Sequence, residues 1–555
     1  MEAPELFELR LDFEGALAAS LQRAERLRGH PDGARSLLGA AELAEALDGC
    51  AAGSRAAAIW ERLAALAPAD ARAAGFRLRA GRCDEEAGRL DRAAQSFAGV
   101  LHRQQAPRAT RDERAAARLG LIRVRFSQGR IREALALLED PASLSGPRAV
   151  EARCLRARIR AAGLDWGYAG LEQERIAARL RAFQRSMEEL GEAVGAEEPD
   201  DRDAFEARCE AALALGELHA RFGRWLIGHP RPHALSGEMQ ELYEAEIESR
   251  ALDFFEQAAA IDGALVARVA AAHRGARFGH RAREALWAIR AWVDTPPAWY
   301  RLRWPALAAE GGSPALSAAR ERLIADPGDP QARLGAAEAL AQSAPGLALY
   351  FLQRHAAASP QRALVQARAL AALGRHAEAY ELLRDLLARS PRLLAAWRQM
   401  ADSCFVFGDL VCARRALDEL RADAKGDARL LLPTAAALYG LGQEERAQAL
   451  LERVAPSDAS WALARFDLGL ILWDGLRRSR ARHTAEGDLA RLRKARTCLA
   501  AALRAADPRI AAEARALHAR VDEQVQALLV AIEAERDLQR RAGQAQDLES
   551  RQQGI

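Results

Sequence analysis

Residues 397–417 read WRQMADSCFVFGDLVCARRAL, and this stretch sets the frame for the rest of the chain. Shifted by 34 residues in either direction, the same frame reads ALVQARALAALGRHAEAYELL at 363–383 and LLPTAAALYGLGQEERAQALL at 431–451. Gly374, Gly408 and Gly442 therefore keep step with Ala379, Ala413 and Ala447, and with Leu383, Leu417 and Leu451. In the middle frame Trp397, Met400, Ala401 and Cys404 stand at i, i+3, i+4 and i+7, one face of a helix. Gly408 breaks that helix. Ala413 and Leu417 fall on a second one, with the small Ala where the two helices approach closely. One such hairpin cannot bury its apolar face alone, so the unit must be stacked.

The frames resemble the tetratricopeptide repeat, whose pattern runs W-x2-L-G-x2-Y, then A-x3-F, then P. Ala363, Gln366, Ala367 and Leu370 precede Gly374 and Pro391 follows, while Leu431, Thr434, Ala435 and Leu438 precede Gly442. A fourth unit begins at Arg465, Leu468, Gly469 and Leu472, is interrupted by a polar insertion over 477–490, and resumes at Ala495, Leu499 and Pro508. Upstream, an Ala is followed twelve residues later by a Pro at Ala56/Pro68, Ala285/Pro297, Ala315/Pro327 and Ala348/Pro360. Pro cannot continue a helix and so marks a boundary at constant distance from the packed Ala. Ala93 with Phe97 behind Gly88, and Ala134 with Leu138 behind Gly129, add two N-terminal units. The resemblance covers about 36–140 and 265–508, most strongly 329–455. It implies an all-α, right-handed α-solenoid of tetratricopeptide-like helical hairpins with an irregular helical middle segment.

Composition agrees with that class. Half of the 555 residues are apolar and only 6% aromatic, and Ala, Leu, Arg and Glu are strong helix formers. The charge of +3 is a small difference between 80 basic and 77 acidic residues, which does not argue for nucleic acid. The seven Cys are scattered, and none is spaced C-x-x-C, so they are expected to be reduced core residues. The N-terminus lacks a basic segment followed by an apolar run, and no uninterrupted apolar stretch approaches 18 residues, which predicts a soluble cytoplasmic protein without a membrane span.

Along the chain the pattern predicts N-terminal repeats over 1–145, a divergent long-helix segment over 146–262, a repeat array over 263–510, a capping helix over 511–541 and a disordered tail over 542–555. The middle contains an amphipathic run from Tyr168 to Val194, an acidic break at 197–201, and a Pro-containing loop at 228–237.

In the tetratricopeptide family, the second face of each first helix lines a concave groove. The resemblance places Arg398, Asp402 and Phe405 there, with Arg368 one period earlier, Tyr439 one period later, and Phe466, Leu470 and Trp473 beyond. Phe405, Tyr439 and Trp473 stand 34 apart and would form an aromatic ladder able to bury part of a peptide. A register shifted by one residue would instead pack the same rings between helices. Trp287, Trp292, Trp299 and Trp304, with Tyr300, surround Pro296 and Pro297, as either a partner-binding cluster or the core of a junction. Arg477, Arg478, Arg480, Arg482, Arg491, Arg493, Lys494 and Arg496 make a locally basic strip without interleaved aromatics, more in keeping with a solvated loop than with a nucleic-acid surface.

No dinucleotide- or phosphate-binding glycine motif, no H-E-x-x-H and no G-x-S-x-G is present. Pro230 and Pro232 prevent His229 and His233 from sharing a helical face. No catalytic residue, cofactor or metal is therefore expected. The reading is a noncatalytic scaffold or adaptor that binds a protein or peptide partner in the groove. The alternatives are an α/α-toroid enzyme with paired acidic residues and a nucleic-acid-binding helical array.

Overall fold

The computed structural model describes residues 4–555 apart from 5–7, 9, 29, 51–53, 67–71, 103–107, 139–146, 165–172, 196–201, 229–236, 291, 294, 305–306, 308–315, 356–357, 424–427, 479–483, 506 and 554–555. The described residues form twenty-four α-helices and no strand. The acidic break, the His229/His233 pair, Ala315, Pro68 and residues 479–483 of the basic insertion lie outside them.

Helix starts follow local chemistry. Thr110 accepts from the Glu113 N–H at 3.1 Å while the Glu113 side chain accepts from the Thr110 N–H at 2.7 Å, a capping box that opens the helix Arg111–Ser127. Asp329 and Ser359 cap the helices Pro330–Ser343 and Pro360–Ala372, each with Pro at its first position. Pro suits that position because its missing N–H would have had no helical partner there. Pro360 and Pro508 therefore begin helices as well as bounding the repeats before them.

The hairpin turns share one geometry. Gly88, Gly129, Gly374, Gly408 and Gly442 have φ between +71° and +83°, which an L side chain rarely tolerates. In each turn the N–H after the Gly reaches the carbonyl five residues back: Arg89 to Asp84, Arg130 to Arg125, Arg375 to Leu370, Asp409 to Cys404 and Gln443 to Leu438, at 2.8–3.0 Å. This closes the first helix and points the chain back along it. Ala93, Ala134, Ala379, Ala413, Ala447 and Ala495 are all 0% exposed, as close helix–helix approach requires. Ala285 is an exception, since it is half-buried while Ala282 on the same helix is fully buried.

The chain forms two compact units, Met1–Ala282 with Glu310–Gln399, and Arg283–Ala309 with Met400–Ile555. The array expected as one block over 263–510 is thus shared between them. In the first unit Phe97 fills the space left by Gly81 and Gly120, where a Cβ would come within 2.7 Å of its ring. The middle helices Gln173–Gly195, Arg202–Ile227 and Glu238–Ala272 are longer than repeat helices. They share an aromatic core in which Phe183 stacks on Phe222 with centroids 4.0 Å apart and Phe254 meets both edge-on. Helix Pro345–His355 packs on Pro31–Asp48. There the buried Glu8 accepts from the Tyr350 hydroxyl at 2.6 Å and lies 2.8 Å from His355 Nε2.

Two expectations are corrected. Cys50 pairs with Cys83 and Cys404 with Cys412 as disulfides, while Cys154, Cys209 and Cys498 are buried thiols. The pairs join residues 33 and 8 apart whose Cα atoms are brought to 4.6 and 5.8 Å, a proximity made by helix packing that spacing does not reveal. The last helix does not stop near 541 but runs Pro508–Gln553, because 542–553 carries four Gln and two Ala and contains only Gly543 as a breaker.

Candidate functional site: a helical wall holding an extended strap

In the second unit, helices Leu431–Gly440 and Trp461–Arg478 and the Met400–Phe407 portion of Leu394–Phe407 supply a wall of first helices. Phe405, Tyr439, Phe466, Leu470 and Trp473 are buried in the interior of that unit, at 5% exposure or less. An open aromatic ladder is therefore corrected: the rings do not face solvent. The chain's own segment 295–304 meets this wall at Phe405, Gly440, Asp467 and Asp474.

That segment runs as a strap with one 3-10 turn, Trp299–Arg301. Pro296 and Pro297 suit its extended approach, because Pro disfavours helical geometry in the residue before it. The Trp304 and Trp299 rings lie 4.7 and 5.8 Å from the Phe405 ring. Trp299 also fills the space beside Gly440, where a Cβ would come within 2.7 Å of its indole and 2.2 Å of Leu410. Leu302 is 2% exposed. The Tyr300 hydroxyl donates to the Arg283 carbonyl at 2.7 Å, holding the strap against its own incoming helix.

Two buried carboxylates grip the strap backbone. The Ala298 N–H donates to Asp474 Oδ2 at 3.3 Å and the Arg303 N–H to Asp467 Oδ1 at 2.8 Å. Both Asp are 0% exposed. Asp474 also accepts from the Tyr439 hydroxyl and pairs with Arg290 at 2.5 Å. Burial pushes the Asp467 carboxyl well above the usual range, opposed by the hydrogen bond from the Arg303 N–H. Its Oδ2 has no hydrogen-bond partner among the described residues. At the rim the Arg303 guanidinium pairs with Glu513 at 2.9 Å. Trp473 donates to Gln524 at 2.9 Å and its ring lies 6.1 Å from Trp287.

The remaining predicted residues are placed differently. Arg368 lies in the first unit and is ion-paired with Glu338 at 2.9 Å. Arg398 and Asp402 are half-buried on the helix that carries Phe405. The sequence reading missed Asp467, Asp474, Arg290 and Gly440. The available signal was a pair of acids seven residues apart that bracket the apolar run Leu468–Trp473, which points to buried partners. In the basic strip, Arg491 pairs with Glu444, Lys494 with Glu452 at 2.7 Å and Arg496 with Asp522 at 2.8 Å, so its described part is largely neutralised by the chain itself.

Among the described residues no helix is long and apolar enough to cross a membrane. No family model and no curated protein matches the chain. Among solved structures it is similar to the APC/C hetero-tetramer Cut9–Hcn1, with 13% identity, 84% of this chain and 92% of that chain covered, and a TM-score of 0.26. It is also similar to yeast Tom70, with 12% identity, 94% and 97% covered, and a TM-score of 0.28. With TM-scores this low, the assignment to stacked tetratricopeptide-like hairpins rests on the chain's own helices, turns and buried Ala positions.

Proposed function

We propose that the protein is a noncatalytic scaffold that binds a protein or peptide partner on the first-helix wall of its second unit. One observation carries this reading: the wall holds an extended stretch of polypeptide by capturing its backbone N–H groups at Ala298 and Arg303 with buried carboxylates. Backbone capture on a rigid helical surface is a way to bind an unfolded segment without reorganising the receptor.

The test is a photo-activated cross-linker at Asp402, which stands one turn before Phe405 and is half-exposed, with a control cross-linker at the exposed Arg384. After irradiation in a lysate of the source cells, a discrete protein adduct formed from position 402 and absent from 384 is the expected result. Adducts from neither position, or the same adducts from both, would reject a partner on this wall.

A further inference from the structure

Resting on that reading, we propose that the wall takes a partner segment that is aromatic and basic, and that Ala298–Trp304, AWYRLRW, is a resident occupant which such a segment displaces. The occupant reports the wall's selectivity. Trp299 enters the slot left by Gly440 and Trp304 covers Phe405, which calls for two large rings five residues apart. At the edge of the wall the strap's Arg303 pairs with Glu513 of the helix Pro508–Gln553, while Asp474 of the wall is met by Arg290 from the chain before the strap. A basic residue at the position of Arg303 is therefore complementary to Glu513, and an acidic one there would set like charges together.

Spacing adds a conformational requirement. Asp467 and Asp474 lie seven residues apart on one helix, a rise of about 10.5 Å at 1.5 Å per residue. The five-residue step from the Ala298 N–H to the Arg303 N–H would span about 17 Å fully extended. The 3-10 turn Trp299–Arg301 takes up the difference, so the segment must carry a turn between its two anchored N–H groups. Asp467 Oδ2 lacks a hydrogen-bond partner among the described residues. The half-buried Trp304 is the place where displacement can start.

A tethered occupant competes at a high effective concentration, so a free segment binds only the fraction of molecules whose wall is open. The experiment titrates a fluorescein-labelled peptide TPPAWYRLRW, residues 295–304, into the full chain and into Trp304→Ala. Binding to the variant is expected to be at least about tenfold tighter than to the wild type, and a peptide with Glu in place of both Arg residues is expected not to bind. Equal affinity for both chains, no binding to either, or equal binding of the Glu peptide overturns the proposal. Should Trp304→Ala fail to fold, hydrogen exchange on the wild-type chain decides. Saturating peptide should accelerate exchange of the Ala298 and Arg303 amides, and unchanged rates overturn the proposal. A cross-linked partner at position 402 without peptide binding would leave the scaffold reading standing and remove only this selectivity.

Discussion

Arg290 and Asp474 form an ion pair of 2.5 Å in which both side chains are withdrawn from water, at 2% and 0% exposure. Asp474 also receives the Ala298 N–H and the Tyr439 hydroxyl. One carboxylate thus joins the helix before the strap, the strap backbone and a wall residue of the second unit. The strap is part of that unit's interior, which explains why residues chosen as an open groove are buried.

Removing one member of a buried pair leaves an uncompensated charge, a loss of about 3–5 kcal/mol. Arg290→Met should destabilise the second unit by that order in urea titrations followed by Trp fluorescence. Arg290→Met with Asp474→Leu should recover part of the loss. No difference between the single and double variants would mean that the pair is not coupled.

Tyr439→Ala and Ala413→Leu should both be destabilising, for opposite reasons. The first empties a fully buried aromatic site, costing about 3–5 kcal/mol, and the second overpacks a helix contact at about 1–3 kcal/mol. Val411→Ala, at a residue 68% exposed, should stay within about 0.5 kcal/mol. Chemical denaturation of the three variants checks the order, and a neutral Tyr439→Ala would restore the open ladder.

Two buried groups on the long middle helices give opposing pH dependences. Burial raises Asp262 from 3.8 to about 7, with Glu217 adding to the rise. Between those values the folded state holds a proton that the unfolded state has lost, so stability falls as pH rises. Burial lowers His219 from 6.5 to about 4, so the unfolded state binds the extra proton over that range and stability rises with pH. The two slopes oppose each other between about pH 4 and 6.5, and Asp262 alone acts just above. Asp262→Asn should therefore reveal a stability that increases across pH 4–6.5. A melting profile indistinguishable from wild type would contradict the burial of this carboxyl.

Peptide mapping should recover the Cys50–Cys83 and Cys404–Cys412 links and three thiols. In the chain-entropy account, reduction costs more where the closed loop is longer. Separations of 33 and 8 residues give roughly 3.7 and 2.5 kcal/mol. Cys50→Ser should consequently lower the first unit's denaturation midpoint more than Cys412→Ser lowers the second's. Burial raises Cys154 to about 11 and Cys209 to about 12, so native alkylation of both should be slow and should accelerate on unfolding.

The sequence by itself determined the helical hairpins, their turns and their tightest contacts. Those features are local: Gly374, Gly408 and Gly442 are needed for positive φ, and Ala379, Ala413 and Ala447 for close approach, each within one hairpin. It also put Phe405, Tyr439 and Trp473 at one position of the repeat, for which the resemblance implies a shared face. Tertiary structure alone decided what covers that face. The strap residues Ala298 and Arg303 lie 176 and 164 positions from Asp474 and Asp467, and no periodicity links residues so far apart. The same reason hid the disulfide between Cys50 and Cys83, the placement of Glu8 against Tyr350 and His355, and the division of one repeat array between two units. A repeat specifies its own hairpin through short-range sterics, whereas the occupant of its exposed face is selected by burial and charge pairing among segments that meet only after the chain has folded.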